Sequence, residues 1–226
     1  KIRNSAIVAH GGAGKTSLAE AMLFNAGATK RLGKVDDGSS TLDFMPEEIE
    51  RKASLTSHFF QIDWNKKRLS VIDTPGDQNF FSSAKTCMPA ADTALIVIDA
   101  VDKINLRTEK AAEFAAEYDQ PVVMFINKMD KERSDYEAAI ENAKELLSPK
   151  PIKVQIPIGK EGNFKGIVDL VTGQAFTYEG GKRVKAAIPA DLQDQYENDR
   201  AELVENVAEA DDALLERYLE GGELSD

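Results

Sequence analysis

Apolar and polar positions follow two periods along this chain of 226 residues. An apolar run ends in Ala6-Ile7-Val8-Ala9, so residues 2–9 read as a buried strand. A segment of small and apolar residues from Lys15 reads as a helix over 15–27, which Gly27 ends. Residues 30–56 break the rhythm: apolar side chains are sparse and show no period. A connection this long is functional or mobile. His58-Phe59-Phe60-Gln61-Ile62-Asp63-Trp64 then alternates as a half-buried strand. Asn65-Lys66-Lys67 reads as a turn, and Arg68-Leu69-Ser70-Val71-Ile72 as the next strand. Residues 93–100 and the run Pro121-Val122-Val123-Met124-Phe125-Ile126 are continuously apolar. Such runs mark strands buried on both faces of a parallel sheet. Between them, 105–118 has helical spacing through Leu106, Ala111, Phe114 and Ala115.

After residue 150 the pattern changes. Residues 151–185 carry β-branched and aromatic residues between glycines and predict several short strands. Residues 189–220 predict one or two amphipathic helices. One stripe holds Leu192, Tyr196, Leu203, Val204 and Val207, and another Leu214, Leu215, Tyr218 and Leu219. The aromatic residues on these stripes are read as core packing. The alternation of strand and helix predicts a doubly wound, mostly parallel α/β sheet over 1–150. Residues 151–226 are expected to form a small α+β insert packed on it.

Composition narrows the class. No apolar run reaches the roughly 20 residues of a membrane span. The single cysteine, Cys87, forms no internal disulfide and fits a reducing cytoplasm. Net charge is −11, yet residues 191–226 alone hold thirteen acidic and two basic side chains. The rest of the chain is balanced. An acidic helical end is a poor partner for nucleic-acid phosphates and reads as a solvated face. With two histidines and no ligand spacing around either, a zinc site is not expected.

Three loops at predicted strand ends carry the candidate chemistry. Ala9-His10-Gly11-Gly12-Ala13-Gly14-Lys15-Thr16 joins the first strand to the first helix. Small residues let backbone N–H groups surround an anion, and the helix N-terminus adds partial positive charge. Lys15 reaches outer phosphates and Thr16 offers a hydroxyl to Mg²⁺. Ser17 continues the first turn. A further glycine expected five positions before Gly14 is Ala9 instead. The second loop, Asp73-Thr74-Pro75-Gly76, follows an apolar strand. There a carboxylate suits a water-mediated Mg²⁺ contact, and Gly76 can offer its N–H to a terminal phosphate. The third, Asn127-Lys128-Met129-Asp130, ends another apolar strand. A carboxylate at Asp130 pairs with guanine N1–H and N2–H₂, donors that adenine lacks.

With His10 in the first loop and Glu50-Arg51 before a hydroxyl-rich strand, these three motifs in order resemble the translational GTPases. Within that family they stand nearest the elongation factor G group and its elongation-factor-G-like paralogues. Pro157-Ile158-Gly159 and Gly166-Ile167-Val168-Asp169-Leu170 resemble the insert that this group carries in its GTP-binding domain. The resemblance runs from residue 2 to about 222. It implies a P-loop NTPase fold, GTP and GDP as ligands, Mg²⁺ as cofactor and the ribosome as partner of the full-length protein. It implies a cytoplasmic protein with no membrane contact, and a monomeric fragment. Residues 9–16 would wrap the phosphates. Asp73 would hold a metal-bound water, and Asn127, Lys128 and Asp130 would hold guanine. Residues 30–56 and 74–88 would be the two switch segments.

The chain departs from the family in four places. The first switch reads Arg51-Lys52-Ala53-Ser54, so Ser54 replaces a threonine as the Mg²⁺ hydroxyl. Asp77 stands where the family has the histidine that positions the attacking water, which makes Lys15, Gly76 and Asp77 the catalytic candidates and implies slow hydrolysis. Gly12 replaces a loop aspartate. The family's last guanine motif, a Ser-Ala pair, does not occur before residue 226, so the chain is read as a fragment. Two readings stay open: a ribosome-linked GTPase, and a nucleotide-controlled switch that hydrolyses feebly and has other partners. Adenine-nucleotide kinase chemistry is disfavoured by Asp130.

Overall fold

A computed structural model describes residues 2–102, 104–148, 150–179 and 181–221. The chain divides into two compact units, Lys1–Lys128 with Glu137–Leu147, and Met129–Tyr136 with Ser148–Asp226.

The first unit is built on five strands: β1 (Ile2–Val8), β2 (His58–Trp64), β3 (Lys67–Asp73), β4 (Thr93–Asp99) and β5 (Val122–Asn127), in the order β2-β3-β1-β4-β5. β1 pairs in parallel with β3 and β4, and β4 with β5. β2 runs antiparallel to β3. The tight turn between them holds Asn65 at φ 47° and Lys66 at φ 61°, the left-handed pair that matches a two-residue hairpin to strand twist. Strand parity sorts the core into two layers. Ala6, Val8, Ile96 and Ile98 face α3 (Phe81–Cys87), α4 (Leu106–Glu117) and α5 (Tyr136–Leu146) through Ala84, Ala111, Ala115, Ala139 and Ala143. Ile7, Val71 and Val97 face α1 (Lys15–Asn25) through Ala19 and Leu23. Alanines on the helices allow close approach to the larger strand side chains.

Several expectations are corrected here. α1 stops at Asn25; Gly27, at φ 72°, lets the Ala28 N–H return to the Leu23 carbonyl at 2.9 Å. β1 is buried only over its second half. β5 is not buried on both faces: among the described residues it pairs with β4 alone, and Val123 is 53% exposed. Residues 30–56 contain a helix, α2 (Pro46–Arg51), started by a proline in its first turn. α5 escaped the sequence pattern because its buried positions are Ala139, Ile140 and Ala143, a weak apolar stripe. Cys87 is half-buried and donates to Ser57 Oγ at 3.3 Å.

The second unit is an antiparallel meander of β6 (Gln155–Ile158), β7 (Gly166–Asp169), β8 (Gln174–Glu179) and β9 (Lys182–Ala186), followed by α6 (Gln193–Glu209) and α7 (Asp212–Leu219). Ile156, Val168, Leu170 and Ala175 pack with Leu203 of α6, joined by Leu192 and Tyr196. The first helical stripe is therefore core through those three residues, while Val207 is exposed. The second is not core: α7 buries no residue, and Leu219 is 75% exposed. α7 begins instead on a polar cap, Asp211 accepting from the N–H groups of Ala213 and Leu214. Among the described residues no helix is long and apolar enough to cross a membrane.

Candidate functional site

The loops after β1, β3 and β5 lie at strand C-terminal ends, where open α/β sheets bind ligands. In the first loop, Gly14 caps α1 at φ 94°, and a Cβ there would collide with Asn127 Nδ2. That amide nitrogen donates to the Ala13 carbonyl at 2.9 Å. The third motif is thus tied to the first, and glycine is required for the approach. Ala9, His10 and Ala13 are buried, whereas Gly11, Gly12 and Ser17 are exposed. Lys15 is buried, and its Nζ donates to the carbonyls of Ala9 at 3.2 Å and His10 at 3.0 Å. Burial pushes its ammonium down to about 8, against the pull of Asp73 and Asp43. His10 meets Thr108 Oγ1 at 3.3 Å, and burial together with Lys15 lowers its pKa.

Asp73, the last residue of β3, is fully buried, and neither carboxylate oxygen has a hydrogen-bond partner. Burial pushes it up to about 7; the Lys15 charge and the nearby Thr16 hydroxyl oppose the rise. That hydroxyl is itself engaged by Ser54 Oγ at 3.0 Å. Ser54 in turn donates to Asp43 Oδ1 at 2.6 Å. Burial raises the Asp43 pKa too, and the Ser54 bond only partly offsets it. Thr16, Ser54 and Asp73 thus form an oxygen donor set beside a buried carboxylate that lacks a donor, which fits a hard divalent cation such as Mg²⁺. Thr74 is fixed to β1 by its hydroxyl, which donates to the Ile7 carbonyl at 2.7 Å. Pro75 is buried, and Gly76 lies against the first loop. A Cβ on Gly76 would collide with Lys15 Nζ and sit 2.6 Å from Gly11 N. Asp77 turns its carboxylate to the Asn79 N–H at 2.8 Å and to Asn79 Nδ2 at 3.0 Å.

Lys128 adopts φ 63°, and its Nζ pairs with Asp99 Oδ2 at 2.5 Å. Burial raises Asp99, but the Lys128 contact and the N–H groups of Val101 and Asp102 outweigh it and hold the carboxylate below its usual range. Asp130 belongs to the second unit and has an exposed side chain, 3.7 Å from Lys131 Nζ. Within the first unit, Gly76 is therefore set against Lys15, Thr16 against Ser54 and Asn127 against the first loop, Asp73 is coupled to Lys15 by charge, and Lys128 pairs with Asp99.

Sequence reasoning missed the groups that hold this frame. Glu20 of α1 is fully buried, and its Oε1 accepts from Ser40 Oγ at 2.9 Å and from the N–H of Leu42 at 3.0 Å. Glu48 of α2 is also fully buried and accepts from the N–H of Leu55 at 2.9 Å. Two glutamates thus anchor a segment whose polar composition suggested mobility. The signal available was a lone Glu20 on the face of α1 shared with Leu23.

A sequence model described as the elongation factor Tu GTP binding domain matches residues 1–223. The chain belongs to the translational GTPase family. It is 38% identical over 226 residues to elongation factor G of Mycoplasma pneumoniae, covering 99% of this chain and 33% of that protein. A crystal structure from Thermus thermophilus matches with a TM-score of 0.92 at 32% identity, covering 99% of this chain and 34% of that one. The chain thus spans about one third of the length of these relatives. The mixed α/β fold with a mostly parallel sheet and a second, antiparallel sheet is the one expected for this family.

Proposed function

We propose that this chain binds GTP and GDP and hydrolyses GTP with Mg²⁺, as the nucleotide domain of an elongation-factor-G-like factor acting with the ribosome. The observation that carries the reading is a buried Lys15 beside a fully buried, unpartnered Asp73, with the Thr16 and Ser54 hydroxyls alongside. Lys15 and the N–H groups of 11–16 take the phosphates. Thr16, Ser54 and Asp73 would hold Mg²⁺, which when bound would neutralise phosphate charge. Gly76 offers its N–H to the terminal phosphate, and an ordered water attacks it. Positioning and charge neutralisation supply most of the rate.

In this reading Asn127 and Lys128 frame the base and Asp130 selects it. Asp130→Ala is expected to reduce the preference for GDP over ADP by about 100-fold, since the paired donors of guanine lose their acceptor. Competition against a fluorescent guanine nucleotide measures it; unchanged discrimination removes Asp130 from the site.

A second reading, a nucleotide-controlled switch with weak hydrolysis and partners off the ribosome, is favoured by one observation. The Asp77 carboxylate is used to hold Asn79 and brings no positive dipole to the γ-phosphate. Asp77→His is expected to speed ribosome-stimulated phosphate release from the full-length protein by about tenfold or more. No increase, with or without ribosomes, counts against Asp77 as the cause of slow hydrolysis and removes the observation that favours the switch.

A further inference from the structure

Three buried side chains converge beside the nucleotide loops: Asp43, which precedes α2; Glu48, within α2; and His58, the first residue of β2. One donor atom of each lies within 4.8 Å of the other two. His58 Nε2 and Glu48 Oε2 stand 3.4 Å apart, close to the roughly 3.4 Å between neighbouring ligands of a tetrahedral ion with bonds of about 2.1 Å. Asp43 Oδ1 is used by Ser54, but Asp43 Oδ2 is buried and has no partner.

Charge makes this cluster unusual. Two carboxylates are withdrawn from water, Asp43 to 2% exposure and Glu48 to 0%. Glu48 is compensated in part by the N–H groups of Leu55 and Thr56. Asp43 has one hydroxyl. The sole basic group in the cluster is the His58 imidazole, which carries one positive charge at most. A divalent cation neutralises both carboxylates at once and gives the orphaned oxygen a partner. An imidazole nitrogen with carboxylate oxygens suits Zn²⁺, Mn²⁺ or Fe²⁺; Mg²⁺ prefers oxygen alone.

We propose that Asp43, Glu48 and His58 form a transition-metal site, distinct from the Mg²⁺ donor set Thr16, Ser54 and Asp73 but joined to it by the Ser54–Asp43 hydrogen bond, that staples residues 43–58 into one rigid segment. Spacing along the sequence hides it, because its ligands come from a loop, a helix and a strand. The ion leaves Asp43 Oδ1 free to keep accepting from Ser54. It therefore fixes the segment that presents the Ser54 hydroxyl to Thr16.

The test is Zn²⁺ binding by the EDTA-stripped 226-residue protein in millimolar Mg²⁺, read by competition with a chromophoric chelator. One equivalent is expected to bind with a dissociation constant below about 1 μM, weakened at least about tenfold by His58→Gln and unchanged by His10→Gln. His10 is the control because it is the other histidine and stands in a second acidic cluster with Asp99 and Asp102. Zinc-edge X-ray absorption of the unsubstituted protein should show one imidazole nitrogen and no sulfur, a readout that survives a poorly folding variant. Bound Zn²⁺ should also slow tryptic cleavage after the exposed Arg51 and Lys52 at least about tenfold relative to cleavage after Arg183. No submicromolar binding, binding retained in His58→Gln, or binding lost in His10→Gln overturns the proposal.

Discussion

Replacing Lys15 with alanine is expected to weaken GDP and GTP binding about 1,000-fold, the equivalent of roughly 4 kcal/mol. Its ammonium is buried, held by two loop carbonyls and stripped of water. A charge already desolvated needs little further cost to meet a phosphate, so its contact is worth more than one made from bulk water. The substitution also removes the charge that favours the ionised form of the buried Asp73 carboxyl. Isothermal calorimetry at pH 7 measures the loss. A fall of less than about tenfold, in a variant whose melting shows a folded chain, would place the phosphates elsewhere.

Asp73→Asn is expected to act in opposite directions on stability and on chemistry. The folded carboxyl is raised from 3.8 to about 7 by burial. Between those values the folded protein holds a proton that the unfolded chain has released, so nucleotide-free stability falls as pH rises through that window. The shift corresponds to roughly 4 kcal/mol at most, and loss of the attraction for Lys15 returns part of it. Asp73→Asn should therefore be about 1–3 kcal/mol more stable than the parent at pH 8, and little changed near pH 4. Lys15, lowered to about 8, adds no slope between pH 4 and 7. Hydrolysis with Mg²⁺ should fall by about 100-fold or more, because an amide is a poor support for the ion and its water. Urea denaturation at the two pH values, with phosphate release at pH 7.5, checks both. A variant less stable than its parent at pH 8 contradicts the account of Asp73.

Strands and motifs were legible because each rests on short-range chemistry. Thr93–Asp99 has to be a buried strand once five apolar residues run together, and Gly14-Lys15-Thr16 has to open a helix. What stayed hidden depends on tertiary partners. Val123 and Phe125 read as interior residues, yet both are exposed on a strand at the edge of the described sheet, a position that no local pattern encodes. Little in the local pattern marks Glu20, Asp43 and Glu48 as buried, and only the folded segment at 40–56 shows each accepting hydrogen bonds from within it, with one oxygen of Glu20 and one of Asp43 left without a donor. Leu214, Leu215, Tyr218 and Leu219 have core spacing, but α7 buries none of them.

The central claim is that the loop carrying Lys15 takes the phosphates of a guanine nucleotide, with Mg²⁺. Competition of GDP, GTP and ATP for the purified chain, with and without Mg²⁺, tests it most directly. The account predicts displacement by both guanine nucleotides, tighter GTP binding when Mg²⁺ is present, and ATP weaker by at least about 100-fold. ATP binding as well as GTP, or affinities indifferent to Mg²⁺, would contradict it.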